Sequence, residues 1–140
     1  MPSLFTRIIN GELPGRFVWK DDVCVGMLTI APMNPGHTLI IPREEVDHWV
    51  DMKPDLSSHL FGVAQSVSKA IHHAFQLKKV GLIIAGLEVL HTHIHLVPIN
   101  NIRDMDFDRQ DKNAKPEDLD AAADKIRTAL RELGYMQVAE

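Results

Sequence analysis

The residues His91-Thr92-His93-Ile94-His95-Leu96-Val97-Pro98 place three histidines in strict alternation with other side chains. Alternate side chains of a β-strand lie on one face of the sheet. This spacing therefore predicts a strand over His91–Ile99 that presents three imidazoles on one side. The intervening Thr92, Ile94 and Leu96 are expected to point into the core, whereas a helix would distribute the histidines around its axis.

The chain around this run is expected to form short strands and two long amphipathic helices. Apolar residues recur at three- and four-residue steps in both helices, as on the buried face of a helix. The expected elements are a short helix at Leu4–Ile9, strands at Phe17–Lys20, Val23–Leu28, His37–Ile41 and Val80–Ile84, and helices at Pro54–Phe75 and Pro116–Leu133. This order predicts an α+β domain with a mainly antiparallel sheet. The stretch Arg103–Lys115, with Asp104, Asp106 and Asp108, is expected to be a solvated charged linker.

Composition narrows the class of protein. The 140 residues suit one domain, and 45% hydrophobic with 24% charged residues is typical of a globular chain. A net charge of −4 without a Lys/Arg cluster speaks against binding to nucleic acid. The single cysteine, Cys24, rules out an internal disulfide. No apolar stretch is long enough to span a bilayer, so we expect a cytoplasmic protein without a membrane partner.

Two chemistries suit a row of imidazoles. Histidine ligates metals, but the outer two histidines are about 13 Å apart along a strand, so a three-histidine site from this run would be strained. Histidine can also act as a nucleophile on phosphorus, because neighbouring imidazoles disfavour each other's protonation and leave a lone pair free. Nucleophilic catalysis is the favoured interpretation. A metalloenzyme, or a polar sheet face with only structural histidines, stays open at this point.

Three segments resemble the histidine triad (HIT) family. His91–Leu96 is similar to its signature, in which three histidines alternate with apolar residues, here with Thr92 as a semi-polar member. Ser3–Pro14 resembles the family's N-terminal segment, and Gly36–Pro42 resembles its third strand. The three segments occur in the family's order along the chain.

This resemblance implies a HIT-like fold, with a five-stranded mainly antiparallel sheet, a central helix and a C-terminal helix. It divides the chain into a HIT domain at residues 1–104 and a charged linker with an amphipathic helix at residues 105–140. It also implies a homodimer that binds a purine nucleotide, in particular adenosine. No cofactor is expected. The implied activity is that of a hydrolase or transferase at the α-phosphate of a nucleoside phosphoramidate, an acyl-nucleotide or a dinucleoside polyphosphate. A nucleotide-binding or sensing protein with incidental turnover is the alternative.

The resemblance also implies roles for individual residues. His93 is the expected nucleophile, with one ring nitrogen bonded to a backbone carbonyl, and it forms a nucleotidyl-histidine intermediate. His95 is expected to contact the phosphate and leaving group, His91 to orient the nucleophile, and His37 to complete the cluster. The expected base pocket consists of Phe5, Ile8, Met27, Leu28 and Ile30, with ordinary core packing as an equally acceptable interpretation.

Two positions depart from the family pattern. Thr29 stands where an Asp commonly binds the ribose hydroxyls, and a hydroxyl lacks the charge and the bidentate geometry of a carboxylate. Glu88 stands near a position where Ser or Gln commonly touches the phosphate. A carboxylate repels phosphate but attracts a cationic leaving group. We therefore hypothesise that Glu88 selects substrates whose leaving group is an amine.

Overall fold

The computed structural model describes residues 1–139, and its elements follow the predicted order. They are α1 (Leu4–Ile9), β1 (Phe17–Lys20), β2 (Cys24–Leu28), β3 (Thr38–Pro42), α2 (Pro54–Phe75), β4 (Lys79–Ile83), β5 (Ile94–Ile99) and α3 (Pro116–Glu132), with short 3-10 turns at Trp49–Asp51, Ile102–Met105 and Phe107–Arg109. All strand pairs are antiparallel, in the order β1-β2-β3-β5-β4. The predicted α+β class is confirmed. Among residues 1–139, no helix has the length and apolar character needed to cross a membrane.

Both long helices pack on the same face of the sheet. Alternation in β2, β3 and β5 points one set of apolar side chains towards them, including Leu28, Ile40 and Ile94. The apolar stripes of α2 and α3 close over this layer, with Ile71 and Leu130 fully buried. The C-terminal helix is therefore part of the main core, packed against α2 and β1.

The opposite face of the sheet carries the histidines. Directly paired residues of antiparallel strands share a face. Met27 pairs with Leu39, Leu39 pairs with His95, and His95 pairs with Ile83, so the four side chains form one row across β2, β3, β5 and β4. A second, smaller apolar cluster on this side contains Phe5, Met27 and Leu39.

The strand that carries the histidines begins later than predicted. β5 starts at Ile94, so the first two histidines of the run precede the strand. The ladder with β3 ends at the pair Ile40–Ile94. In the same register Thr92 would stand opposite Pro42, which has no N–H to donate. The backbone N–H and the hydroxyl of Thr92 both donate to the carbonyl of Val46 instead, each over 2.7 Å.

The expectation of a solvated linker at Arg103–Lys115 is wrong for Asp104. The carboxylate of Asp104 is buried and accepts hydrogen bonds from the backbone N–H groups of Asn100 (2.8 Å) and Asn101 (3.3 Å). These hydrogen bonds cap the start of the 3-10 turn at Ile102–Met105. The residues that follow the turn return over the sheet. As a result the ring of Phe107 lies edge-on against His95, with 5.1 Å between ring centroids.

Candidate active site

Four histidines form one cluster: His95 lies in β5, His91 and His93 lie in the segment before it, and His37 directly precedes β3. The ring centroids of His93 and His95 are 4.9 Å apart, and those of His37 and His95 are 5.1 Å apart. Phe5 of α1 packs edge-on against His93, at 4.8 Å, and against His91, at 5.8 Å. The predicted catalytic side chains therefore lie close together, although β5 starts only at Ile94.

The orientation of His93 leaves one ring nitrogen with a free lone pair. Its Nδ1 lies 2.8 Å from the carbonyl oxygen of His91. A carbonyl only accepts hydrogen bonds, so Nδ1 carries the proton and donates it. The unprotonated nitrogen is therefore Nε2. The resemblance to the HIT family implied such a bond from one ring nitrogen of His93 to a backbone carbonyl.

His37 and His95 form a hydrogen-bonded pair with assignable protons. The backbone N–H of Met33 donates to His37 Nδ1 over 3.0 Å, so the proton of neutral His37 is on Nε2. His37 Nε2 lies 2.9 Å from His95 Nδ1 and donates to it. The proton of neutral His95 is then on Nε2. The two central histidines thus present complementary nitrogens, a lone pair on His93 and an N–H on His95.

His91 is held at both ring nitrogens. Its Nε2 donates to the carbonyl oxygen of Pro42 over 2.7 Å, and its Nδ1 lies 2.6 Å from the hydroxyl oxygen of Ser3. The ring is fully buried. Ser3 was not among the predicted site residues, because its position before a short predicted helix indicates a helix cap rather than a partner for a histidine 88 residues away.

Burial keeps three of the four imidazoles neutral at pH 7. Desolvation lowers the pKa of His93, although its hydrogen bond to the His91 carbonyl opposes this shift. The pKa of His95 falls to about 4, and that of His37 falls to about 3, in both cases mainly by burial and further by repulsion from neighbouring histidines. A neutral His93 is the form required of a nucleophile.

A cavity of about 390 Å³ opens onto His93 and His95. Its remaining walls come from the loop before the histidine run and from the segment after β5, and its lining residues are Ala85, Gly86, Leu87, Glu88, Val89, His93, His95, Phe107, Asp108, Gln110 and Lys112. The predicted position of Glu88 beside the histidines agrees with this lining. No sequence pattern indicated the residues of the 107–112 segment, because their arrangement depends on the buried Asp104.

The residues proposed for the base pocket do not all lie together. Phe5 and Met27 lie together on the histidine side of the sheet, with Ile8 packed against them. Leu28 does not belong to this group, and its assignment to the pocket is wrong. As the strand neighbour of Met27 it points to the opposite face, where it packs in the helix-side core. Ile30 follows β2 and is 74% exposed.

Thr29, which replaces the expected Asp, lies at the end of β2 beside these residues. Its side-chain oxygen accepts a hydrogen bond from the backbone N–H of Ala31 over 3.2 Å. The hydroxyl therefore stabilises the local turn, and its own proton remains free to be donated.

A second group of titratable side chains lies elsewhere in the fold. Within residues 1–139, the ligand atoms of Asp21, Cys24 and His59 lie within 4.8 Å of one another, close enough to hold an ion. The carboxylate of Asp21 already accepts hydrogen bonds from Trp19 Nε1 (2.9 Å) and from His59 (2.8 Å). Burial raises the pKa of the Cys24 thiol. The three side chains therefore form polar packing contacts between the β1–β2 hairpin and α2.

Known proteins resemble this chain in sequence and in structure. The family model of the HIT domain matches residues 10–102. An uncharacterised HIT-like protein of Borreliella burgdorferi is 34% identical over 102 residues, which cover 68% of this chain and 73% of the relative. Adenylylsulfatase HINT3 of Arabidopsis thaliana is 31% identical over 100 residues, with 68% of this chain and 51% of the relative covered.

A solved structure extends the likeness to the C-terminal helix. The crystal structure of a hypothetical histidine triad nucleotide-binding protein from Sulfolobus tokodaii superposes with a TM-score of 0.80 at 27% identity, over 92% of both chains. These matches, with the paired histidines and the five-stranded sheet, show that the chain belongs to the HIT family. The resemblance read from the sequence is confirmed, and family membership points to a hydrolase or transferase that acts on nucleotides.

Proposed function

We propose that this protein is a nucleotidyl hydrolase or transferase that acts at the α-phosphate through a covalent intermediate on His93. One observation carries the proposal: His93 and His95 line the same cavity. Nε2 of His93 has a free lone pair, and Nε2 of His95 carries a proton. A nucleophile and an acid beside each other are the two groups that displacement at phosphorus requires.

In the first proposed step, His93 Nε2 attacks the α-phosphorus. A bond forms between this nitrogen and phosphorus while the bond to the leaving group breaks, and His95 Nε2 gives its proton to the leaving group. This transfer leaves a negative charge on the His95 ring, which the hydrogen bond from His37 Nε2–H to His95 Nδ1 and the adjacent positive His93 ring stabilise until the second step. The His93 ring then carries a positive charge, which strengthens the hydrogen bond from Nδ1–H to the His91 carbonyl. His37 supports His95 through the bond to His95 Nδ1.

In the second proposed step, water or another acceptor resolves the intermediate. His95, now without its Nε2 proton, takes a proton from the attacking water as the phosphorus–nitrogen bond breaks. The products are a nucleoside monophosphate and a regenerated neutral His93. Each proton that His95 donates in the first step is thereby recovered in the second, so no other proton carrier is needed over the cycle.

The nucleoside is proposed to bind on the Phe5 side of the histidines. Phe5 and Met27 are buried in an apolar cluster next to His93, and the partly buried Ile8 packed against them contributes its exposed surface. Such a surface suits a flat purine, and adenosine is the base that we propose. Thr29 is the proposed partner of the ribose.

The leaving group is proposed to occupy the cavity bounded by Glu88 and by the 107–112 segment. Glu88 and Asp108 both line this cavity, and Lys112 is the cation that lines it with them. Two carboxylates favour a cationic or amine-bearing leaving group over a polyphosphate. Nucleoside phosphoramidates are therefore the proposed substrate class, and the activity is that of a phosphoramidase.

A turnover assay tests the proposal. Wild-type protein is incubated with an adenosine phosphoramidate, an acyl-adenylate and diadenosine polyphosphate, beside His93→Asn and the surface control His72→Asn on α2. We expect AMP release by the wild type and the control but not by His93→Asn. Tight AMP binding without turnover of any substrate would instead support the alternative of a nucleotide-binding or sensing protein.

We further propose a homodimer in the cytoplasm as the functional unit. β4 is an edge strand of the sheet, and its Leu82 side chain is 44% exposed. An exposed apolar edge favours pairing with another strand. Light scattering after size-exclusion chromatography measures the mass directly, and a monomer at micromolar concentration would contradict this part of the proposal.

A further inference from the structure

A polar cluster outside the catalytic row joins the start of the chain to His91. The hydroxyl of Ser3 lies 2.6 Å from His91 Nδ1. Glu45 Oε1, on the connection after β3, accepts hydrogen bonds from the backbone N–H of Ser3 and from the hydroxyl of Thr6, each over 2.6 Å. We call Ser3, Thr6 and Glu45 the Ser3 cluster. Ser3 and Thr6 precede residues 10–102, which the family model matches.

The hydrogen-bond directions in the Ser3 cluster follow from the chemistry of its neighbours. The Pro42 carbonyl can only accept, so the proton of neutral His91 is on Nε2 and its Nδ1 is an acceptor. The Ser3 hydroxyl therefore donates to His91 Nδ1. The same oxygen accepts from the backbone N–H of Thr6 over 3.0 Å, as the N-cap of α1. Ser3 thus both caps a helix and binds the buried imidazole.

The position of His91 matters for the nucleophile because its carbonyl oxygen receives the His93 Nδ1 proton. This bond selects the tautomer of His93 and aims Nε2 at the cavity. It also strengthens when the His93 ring becomes positively charged. A shift of His91 would lengthen the bond at the moment when it contributes most to lowering the barrier.

We propose that Ser3 and Glu45 are positioning residues for the catalytic histidine. The Ser3 hydroxyl fixes the His91 ring, and Glu45 holds Ser3 and Thr6 in place. Because the position of His91 sets the position of its carbonyl oxygen, these contacts orient the His93 ring that donates to this oxygen. The proposal rests on the proposed function for its effect on turnover, whereas its effect on the His93 hydrogen bond can be measured without a substrate.

The charge of Glu45 is maintained by the same contacts. Its side chain is exposed, yet the hydrogen bonds from the Ser3 N–H and the Thr6 hydroxyl lower the pKa of its carboxyl group. Glu45 is therefore ionised at neutral pH, and an ionised acceptor makes the stronger hydrogen bonds.

Two substitutions of Ser3 separate anchoring from capping. Thr and Gly have similar preference as N-caps, but only Thr keeps a hydroxyl. We expect Ser3→Thr to retain kcat, and Ser3→Gly to lower kcat about fivefold with KM unchanged, which is the effect of losing one neutral hydrogen bond in the transition state. Glu45→Gln is expected to lower kcat in the same direction, whereas Glu44→Gln, at the neighbouring exposed carboxylate, is expected to leave it unchanged.

The second readout is the NMR resonance of the His93 Nδ1 proton in ligand-free protein. We expect this resonance to shift or broaden in Ser3→Gly and to keep its wild-type position in Ser3→Thr. An unchanged resonance in Ser3→Gly, or equal kcat values for the Gly and Thr variants, would overturn the positioning role. If wild-type protein releases no AMP at all, the proposed function fails, and the NMR comparison alone then decides the role of Ser3.

Discussion

His93 donates a hydrogen bond from Nδ1 to the carbonyl oxygen of His91, two residues earlier in the chain, over 2.8 Å. The relationship is local in sequence, yet it depends on distant contacts, since the His91 ring is fixed by Pro42 and Ser3. It places the free lone pair of His93 on Nε2 and thereby defines which atom of the chain is available to attack phosphorus. The first two predictions follow from this pair of histidines and from the two that stand beside it.

Removal of His95 should matter most for substrates with poor leaving groups. General acid catalysis contributes roughly 10²- to 10⁴-fold, but a leaving group that is stable as an anion needs no proton. We therefore expect His95→Asn to reduce turnover of an adenosine phosphoramidate by about a hundredfold or more. Turnover of adenosine 5′-p-nitrophenyl phosphate should fall much less. Equal losses for the two substrates would show that His95 does not act as the acid.

Stability should fall with acid, because the buried histidines resist protonation. The pKa of His37 is about 3 in the folded protein, below the ordinary value of 6.5, so the unfolded chain binds more protons between these pH values. The contribution of His37 is therefore fully present above pH 6.5 and is lost as the pH falls towards 3.

Substitution of His37 should flatten this dependence. In urea titrations at pH 7, 6 and 5, His37→Gln is expected to reduce the slope of the unfolding free energy by up to about 1.4 kcal/mol per pH unit. His72→Gln, at an exposed position on α2, is the matched control and should leave the slope close to that of wild type. A slope in His37→Gln equal to that of wild type would mean that His37 is protonated as easily in the folded protein as in the unfolded chain.

Neighbouring residues of β2 should give opposite results, because they point to opposite faces of the sheet. Leu28→Ala is expected to lower the unfolding free energy by about 2–5 kcal/mol and to leave KM unchanged. Met27→Ala should also destabilise the protein, but it should raise KM for the nucleotide because the side chain is next to Phe5. A rise in KM confined to Leu28→Ala would contradict the proposed nucleoside surface.

Glu88 should influence which leaving group is accepted. Exposed ion pairs contribute about 0.2–1 kcal/mol, so Glu88→Gln is expected to lower the ratio of amine-leaving to polyphosphate-leaving turnover by a factor of about 1.4 to 5. Competition between an adenosine phosphoramidate and diadenosine polyphosphate measures this ratio in one reaction. The control is Glu44→Gln, at an exposed carboxylate on the β3–α2 connection. An unchanged ratio in Glu88→Gln would remove the basis for substrate selection by this residue.

The sequence predicted most of the fold because its elements are signalled locally. The apolar periodicity and first-turn proline of α2 gave its bounds at Pro54 and Phe75, and the alternating histidines indicated the catalytic face. Contacts between distant segments were not predictable. The late start of β5 depends on Pro42 and Val46, and the segment that reaches the cavity depends on the burial of Asp104.

The candidate site shows the same division. The three histidines of the run were predicted because their residue type and spacing already indicate the chemistry, whereas His37 was predicted from the resemblance of Gly36–Pro42 to the HIT family. Leu28 was assigned to the pocket by position along the chain, although strand alternation separates it from Met27. Ser3 was missed because hydrogen bonding of its hydroxyl to His91 requires the folded N-terminal segment.

The most direct measurement is single-turnover mass spectrometry after rapid acid quench, with the wild type mixed in excess over an adenosine phosphoramidate. The account predicts a transient increase in protein mass by one adenylyl group, located on His93 by peptide mapping and absent in His93→Asn. AMP release at the same rate without any adduct, or an adduct on another side chain, would contradict it.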